Sequence, residues 1–254
     1  MEDMNDIDDY RELQHLGLHR RRRIFLHRNN PCHDLNEQEF QSRYRLSKAA
    51  FEVLFEQIRH RLPSSRDRRG LRISPRLQLL VGLRYFATGN FQLTIADTAS
   101  MSQKSVSTFV ARVAAAIKEI APLHIKFPQP EREAAVMQAF SLYANMPGCI
   151  GCIDGTLIPI RSPGGPDAEV YRCRKDYFAI NVMGVCDASL KFTTLGFLLG
   201  DSGYACSSYL LTPFFNPGTQ ERNFNASHIN TRNCIERAFG VWKRRFAVLG
   251  IPEK

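Results

Sequence analysis

Two aspartates stand where apolar segments give way to glycine: Ile153-Asp154-Gly155 and Gly200-Asp201-Ser202-Gly203. A carboxylate at the end of a buried strand is expensive unless it is paired, hydrogen-bonded or bound to a metal. Glycine beside it leaves room for a ligand or a sharp turn. Each aspartate alone reads as a loop cap. Taken with Glu236, on an amphipathic helix further along, they form three hard oxygen donors from two strands and a helix, a set suited to Mg²⁺ or Mn²⁺. Two such ions about 3.5–4 Å apart activate water and stabilise the leaving oxygen in phosphodiester cleavage. Arg232 and Lys243 share the helix face of Glu236, and Arg174 and Lys175 precede a strand. All four suit phosphates, and read equally as solvated charges. Cys149-x-x-Cys152 has zinc-like spacing, but no second ligand pair follows at a suitable distance, so both read as small core residues.

The elements that must carry these residues change character along the chain. From 146 the texture is β. Cys149 to Asp154 forms a buried strand that Leu157–Ile160 continues after Gly155; Phe178 to Cys186 forms a second; Lys191 to Leu195 a third; Gly196 to Gly200 a fourth, ending at Asp201. Residues 216–228 read as a polar loop, and Asn230 to Val248 as the helix bearing Glu236. The preceding region is helical. Phe51, Leu54, Phe55, Ile58 and Leu62 make one stripe after Ser47, which Pro63 ends. Residues 64–74 read as a connecting loop. A central helix spans Arg76 to Thr88. A short helix opens at Thr94 with the Thr-x-x-Asp spacing of a capping box. Ser102 then caps a longer helix with Val106, Phe109, Val110, Val113 and Ile117 inside.

Short helix, turn and long helix is the helix-turn-helix arrangement. It would present Gln103, Lys104, Ser107, Thr108 and Arg112 to a major groove; the same pattern also describes a helical bundle that never touches DNA. Residues 1–45 are polar. Their run Arg20–Arg23 reads either as a solvated stretch or as a nuclear-import or nucleic-acid patch, and His15, His19, His27 and His33 are scattered. Pro122, Pro128 and Pro130 mark a boundary. The expected divisions are 1–45, 46–121, a linker and helix at 122–147, and 148–254.

Composition narrows the partners. The 254 residues hold 34 Lys and Arg against 25 Asp and Glu, a net charge of +9 that fits a polyanion such as nucleic acid. No apolar run reaches the roughly 18 residues of a bilayer span. The N-terminus is acidic where a secretory signal would be basic and then apolar. Seven cysteines in such a chain point to free thiols in a reducing compartment, so the expectation is a soluble intracellular protein with no membrane partner.

The sequence resembles the PIF/Harbinger transposases and the Harbinger transposase-derived nucleases domesticated from them. The matching stretches are Gly151-Cys-Ile-Asp-Gly-Thr-Leu-Ile-Pro-Ile160, Tyr171-Arg-Cys-Arg-Lys175, Ile180-Asn-Val-Met-Gly-Val-Cys-Asp187, Leu198-Leu-Gly-Asp-Ser-Gly-Tyr204, Leu210-Leu-Thr-Pro213 and Ile235-Glu-Arg-Ala-Phe-Gly-Val-Trp-Lys-Arg-Arg-Phe246. The resemblance implies an α/β ribonuclease-H-like catalytic core of the DDE type, preceded by an all-α, helix-turn-helix-like region. It further implies divalent cations, DNA as substrate, a Myb-like accessory protein, and a nuclear setting with the cytoplasm as a second compartment. It maps the metal carboxylates onto Asp154, Asp201 and Glu236.

One departure stands out. Family members carry a few tens of residues, including a Pro-Gly-Ser-x-x-Asp-type motif, before the Leu-Leu-Gly-Asp strand; here Phe192-Thr-Thr-Leu195 runs straight into Gly196-Phe197-Leu198-Leu199. In a sheet of order 3-2-1-4-5 the third and fourth strands are parallel and need a crossover of a dozen or more residues. Either the third strand becomes a connector or the sheet is rearranged. Relatives also continue with further helix where this chain reaches Lys254. The expectation is a shortened form that folds or cuts less well than a full-length relative; the alternative is a DNA-binding or scaffold protein without catalysis, or an inactive truncated isoform.

Overall fold

The structure is a computed structural model that describes residues 30–66, 72–126, 130–191 and 198–250. The readings on Arg20–Arg23, on His15, His19 and His27, and on the strand beyond Lys191 lie outside these. From Pro31 onward the described residues belong to one compact unit.

Among the described residues, seven α-helices precede the main sheet: α1 (Pro31–Asp34), α2 (Glu37–Tyr44), α3 (Lys48–Ile58), α4 (Pro75–Thr88), α5 (Gln92–Thr98), α6 (Gln103–His124) and α7 (Pro130–Ala144). Helix α2 lies in the stretch read as merely polar. Asn36 accepts from the Glu39 N–H at 2.8 Å while Glu39 accepts from the Asn36 N–H at 2.9 Å, a capping box. Its apolar residues are only Phe40 and Tyr44, too few for a stripe, yet both are buried against Phe51, Ile58, Leu79, Leu83 and Val113.

Helix α4 is central, as expected. It gives Leu79, Leu80 and Leu83 to one core and Val81 and Tyr85 to another. Ser74, Ser47 and Ser102 each cap a helix through the side-chain oxygen. Helix α5 starts at Gln92, not Thr94. Its N-cap is Phe91, without a side-chain bond, and the expected capping box is unused. The earlier start gives Ile95 and Ala96 a full turn of helix before them to face the core. Residues 65–66 (β1) and 72–73 (β2) pair antiparallel where a plain loop was expected.

The main sheet has the order β4-β3-β5-β6. Strand β3 (Gly151–Pro159) runs unbroken through Gly155, so Leu157 onward continues the strand as expected, and it pairs antiparallel with β4 (Ala179–Cys186). Strands β5 (Leu198–Leu199) and β6 (Leu210–Leu211) continue the sheet in parallel with β3. Strand β6 was not read as one, because two residues carry no alternation. The order is 2-1-4-5 of the ribonuclease-H-like sheet. Cys186 ends β4 opposite Cys152, and Leu198 opens β5 beside Gly151. Strand β4 therefore finishes at the end of the sheet where β5 begins, with β3 between them.

Helix α8 (Thr219–Arg245) covers one face of the sheet. It starts well before Asn230 and absorbs most of the loop read at 216–228. The Gly218 N–H bonds the Glu221 carboxylate at 2.7 Å at its start, and Phe224 and His228 supply the inner face. At its far end Arg245 donates to the Arg45 carbonyl through Nε at 3.0 Å, tying α8 to the end of α2. Among the described residues, no helix is long and apolar enough to cross a membrane.

Candidate active site

The ladder between β3 and β5 pairs Gly151 with Leu198 and Cys152 with Leu199. Two residues further along come Asp154, inside β3 because the strand continues to Pro159, and Asp201, just beyond β5, so the reading of both as strand-end residues holds for Asp201 alone. Period-2 alternation puts Asp154 on the face of Cys152, the face α8 covers. One oxygen of each aspartate is fixed by a following backbone N–H: Gly155 donates to Asp154 Oδ1 at 2.8 Å and Gly203 to Asp201 Oδ1 at 2.9 Å. A Cβ on Gly203 would stand 3.1 Å from that Asp201 oxygen, so the turn is tight enough to favour glycine.

Helix α8 adds Glu236 and Arg232, one turn apart. Arg232 donates through Nη1 to Asp154 Oδ2 at 2.8 Å and through Nη2 to Glu236 Oε1 at 2.9 Å. The Arg232 and Asp154 side chains are each 20% exposed, and Glu236 is 54% exposed. Tyr204 joins the same group. Burial first, then the Asp154 and Asp201 carboxylates, push its hydroxyl pKa above the ordinary value, with Arg232 opposing. The structure thus joins Asp154 and Glu236 through Arg232, while Asp201 bonds its own Gly203 N–H and reaches this group only through Tyr204.

The other expected cations are placed differently. Lys243 spends one N–H on the Leu157 carbonyl at 2.7 Å; burial and then the neighbouring Lys175 ammonium lower its pKa. Arg174 and Lys175 are exposed on the turn that precedes β4. On α6, Gln103, Lys104 and Ser107 are exposed and Arg112 is half-buried. The Thr108 hydroxyl bonds back to the Lys104 carbonyl at 2.9 Å and so is partly committed to its own helix.

Two residues at the site escaped the sequence reading. Tyr204 sat in a recognised motif without a role. His228 fell in the supposed loop; it is fully buried, bonds the Leu211 carbonyl through Nε2 at 3.2 Å and has no partner for Nδ1. Burial, the leading cause, lowers its pKa and keeps it neutral. The helical spacing of Phe224, His228, Thr231 and Ile235 was the available signal.

Cys149 and Cys152 are buried core residues, as read. The fold adds what spacing did not reveal: Cys186 and Cys234 pack in the same cluster, with their sulfurs 3.5 Å apart. All four are free thiols. Hydrogen bonding, to Cys149 and then Cys234 for Cys152 and to Cys234 for Cys186, followed by burial, pushes both thiols far up, so both stay protonated.

The donor chemistry at Asp154, Asp201 and Glu236 suits a hard divalent cation: all are carboxylate oxygens, and two of the three already face one positive charge. Among the described residues no group of three or more His, Cys, Asp or Glu is gathered closely enough to hold an ion in this arrangement; the Arg232 guanidinium lies between two of the acids.

Comparison with known proteins points to a nuclease family. A family described as "DDE superfamily endonuclease" matches residues 192–254. The chain is 30% identical over 250 residues to the Homo sapiens protein named "Putative nuclease HARBI1", covering 85% of this chain and 70% of that protein. The Rattus norvegicus protein of the same name gives the same identity and coverage. The Arabidopsis thaliana "Protein ALP1-like" is 22% identical over 260 residues, covering 83% of this chain and 64% of that one. No solved structure matches.

Proposed function

The chain belongs to the Harbinger transposase-derived nuclease family, and on that premise we propose that it hydrolyses DNA phosphodiester bonds with divalent cations, Mg²⁺ or Mn²⁺, held by Asp154, Asp201 and Glu236. The joining of Asp154 and Glu236 through Arg232, with Tyr204 influenced by both Asp154 and Asp201, is the observation that supports this reading. When bound, such cations activate water and offset charge on the leaving oxygen. The protein's own contribution is placement. Backbone N–H groups of Gly155 and Gly203 each hold one aspartate oxygen still. Lys243, anchored on Leu157, keeps two N–H donors for a phosphate, and Arg174 and Lys175 extend the positive surface beside it.

The proposal extends to DNA binding through Gln103, Lys104 and Arg112 of α6, to a Myb-like accessory protein, and to work in the nucleus. Nicking of supercoiled plasmid in Mg²⁺ tests the catalytic claim. Wild-type protein should nick, and Asp154→Asn should bind DNA but not cut it. A version carrying the family's additional segment between Lys191 and Gly200 should nick faster. Equal nicking by wild type and Asp154→Asn would refute the reading.

A second reading, a DNA-binding scaffold without catalysis, draws on one observation: Arg232 neutralises two of the three acids. It predicts that wild type and Asp154→Asn bind DNA alike and that neither nicks.

A further inference from the structure

Arg232 does more here than line the site. Its two terminal nitrogens go to two different carboxylates, Asp154 from the sheet and Glu236 from its own helix, at 2.8 and 2.9 Å. The remaining Asp154 oxygen is taken by the Gly155 N–H at 2.8 Å. Both oxygens of Asp154 are therefore occupied before any cation arrives. Asp154 is mostly buried, and a half-buried carboxylate is costly without a counter-charge. The planar guanidinium fork meets that need for two acids at once, which a single ammonium cannot do.

We infer that Arg232 is an internal stand-in for the divalent cation: the guanidinium and the ion are alternative counter-charges for Asp154 and Glu236, and the ion enters only as Arg232 leaves. Released, the fork is a ready partner for a phosphate, so DNA that captures Arg232 makes room for the ion. Cation binding and DNA binding are then positively coupled, and by linkage each strengthens the other equally. Arg232 is a positioning residue in this account, keeping the acids closed in the absence of substrate. The inference rests on the metal-dependent reading above.

Mn²⁺ titration of the full chain, followed by the electron paramagnetic resonance signal of the free ion, tests it without measuring cutting. Arg232→Gln should bind Mn²⁺ about tenfold more tightly than wild type, and Arg232→Lys, which keeps the charge but loses the fork, should fall between them. Arg237→Gln removes an equal charge next to Glu236, from a side chain that bonds Tyr143 instead; it should change affinity less than twofold. A short duplex DNA should tighten Mn²⁺ binding to wild type severalfold and to Arg232→Gln hardly at all. Equal affinities for Arg232→Gln and Arg237→Gln would overturn the inference while leaving the metal reading intact. No saturable Mn²⁺ binding to wild type or Arg232→Gln, with or without DNA, would overturn both.

Discussion

Within two residues of each other on β3, and again on α8, the chain places two clusters of metal-capable side chains. Cys152 donates to the Thr231 carbonyl at 3.4 Å and packs with Cys149, Cys186 and Cys234 in a core sealed from water. Asp154 and Glu236 lie next along the same two elements and face Arg232. The thiols are weakly polar and satisfy one another as small apolar groups. The carboxylates cannot be left so: they stay partly exposed and bind a cation, here a guanidinium. Burial decides which cluster is packing and which is a site: Cys152 is fully buried, whereas Asp154 two residues on keeps a fifth of its side chain exposed.

The comparison can be broken at either end. The largest effect should come from the acids: Asp154→Asn should lower nicking by roughly 10³-fold, the scale of several kcal/mol of lost transition-state stabilisation. At the thiol end, Cys234→Ser should destabilise the fold by about 1–3 kcal/mol in urea denaturation, since the hydroxyl is more costly to bury. Zn²⁺ should change the melting temperature of wild type and of Cys234→Ser alike; a selective stabilisation of wild type would make the quartet a metal site after all.

A smaller effect concerns His228, which pins α8 to β6. Its pKa is lowered in the fold, so the unfolded chain binds the proton more readily. Its contribution is complete above about pH 6.5, the unfolded value. It is lost as pH falls below that, at no more than about 1.4 kcal/mol per pH unit. Chemical denaturation at pH 7.5 and 5.5 should show this slope in wild type and a shallower one in His228→Gln. Smallest of all, Lys104→Ala should weaken DNA binding uniformly across sequences and reduce the salt-dependence slope by about 1; an unchanged slope would remove α6 from the DNA surface.

Much of the molecule was legible in advance. Ser47, Ser74 and Ser102 announce their helices because a cap acts over three residues. The stripes of α3 and α6 show because helical periodicity is local. The failures share a cause. Helix α2 and the first turns of α8 are polar apart from a few anchors, so their helicity depends on where Phe40, Tyr44, Phe224 and His228 are buried. Strand β6 exists only because β5 lies beside it.

The residue sequence by itself determined which groups are available: three carboxylates beside glycines or on a helix face, and the one-turn spacing of Arg232 and Glu236, which any α-helix brings together. Only the tertiary structure decided that β3 and β5 are neighbours and that Arg232 reaches across to Asp154. Those meetings depend on strand order and register, which are set by packing between segments far apart in the chain, and no local pattern carries that information.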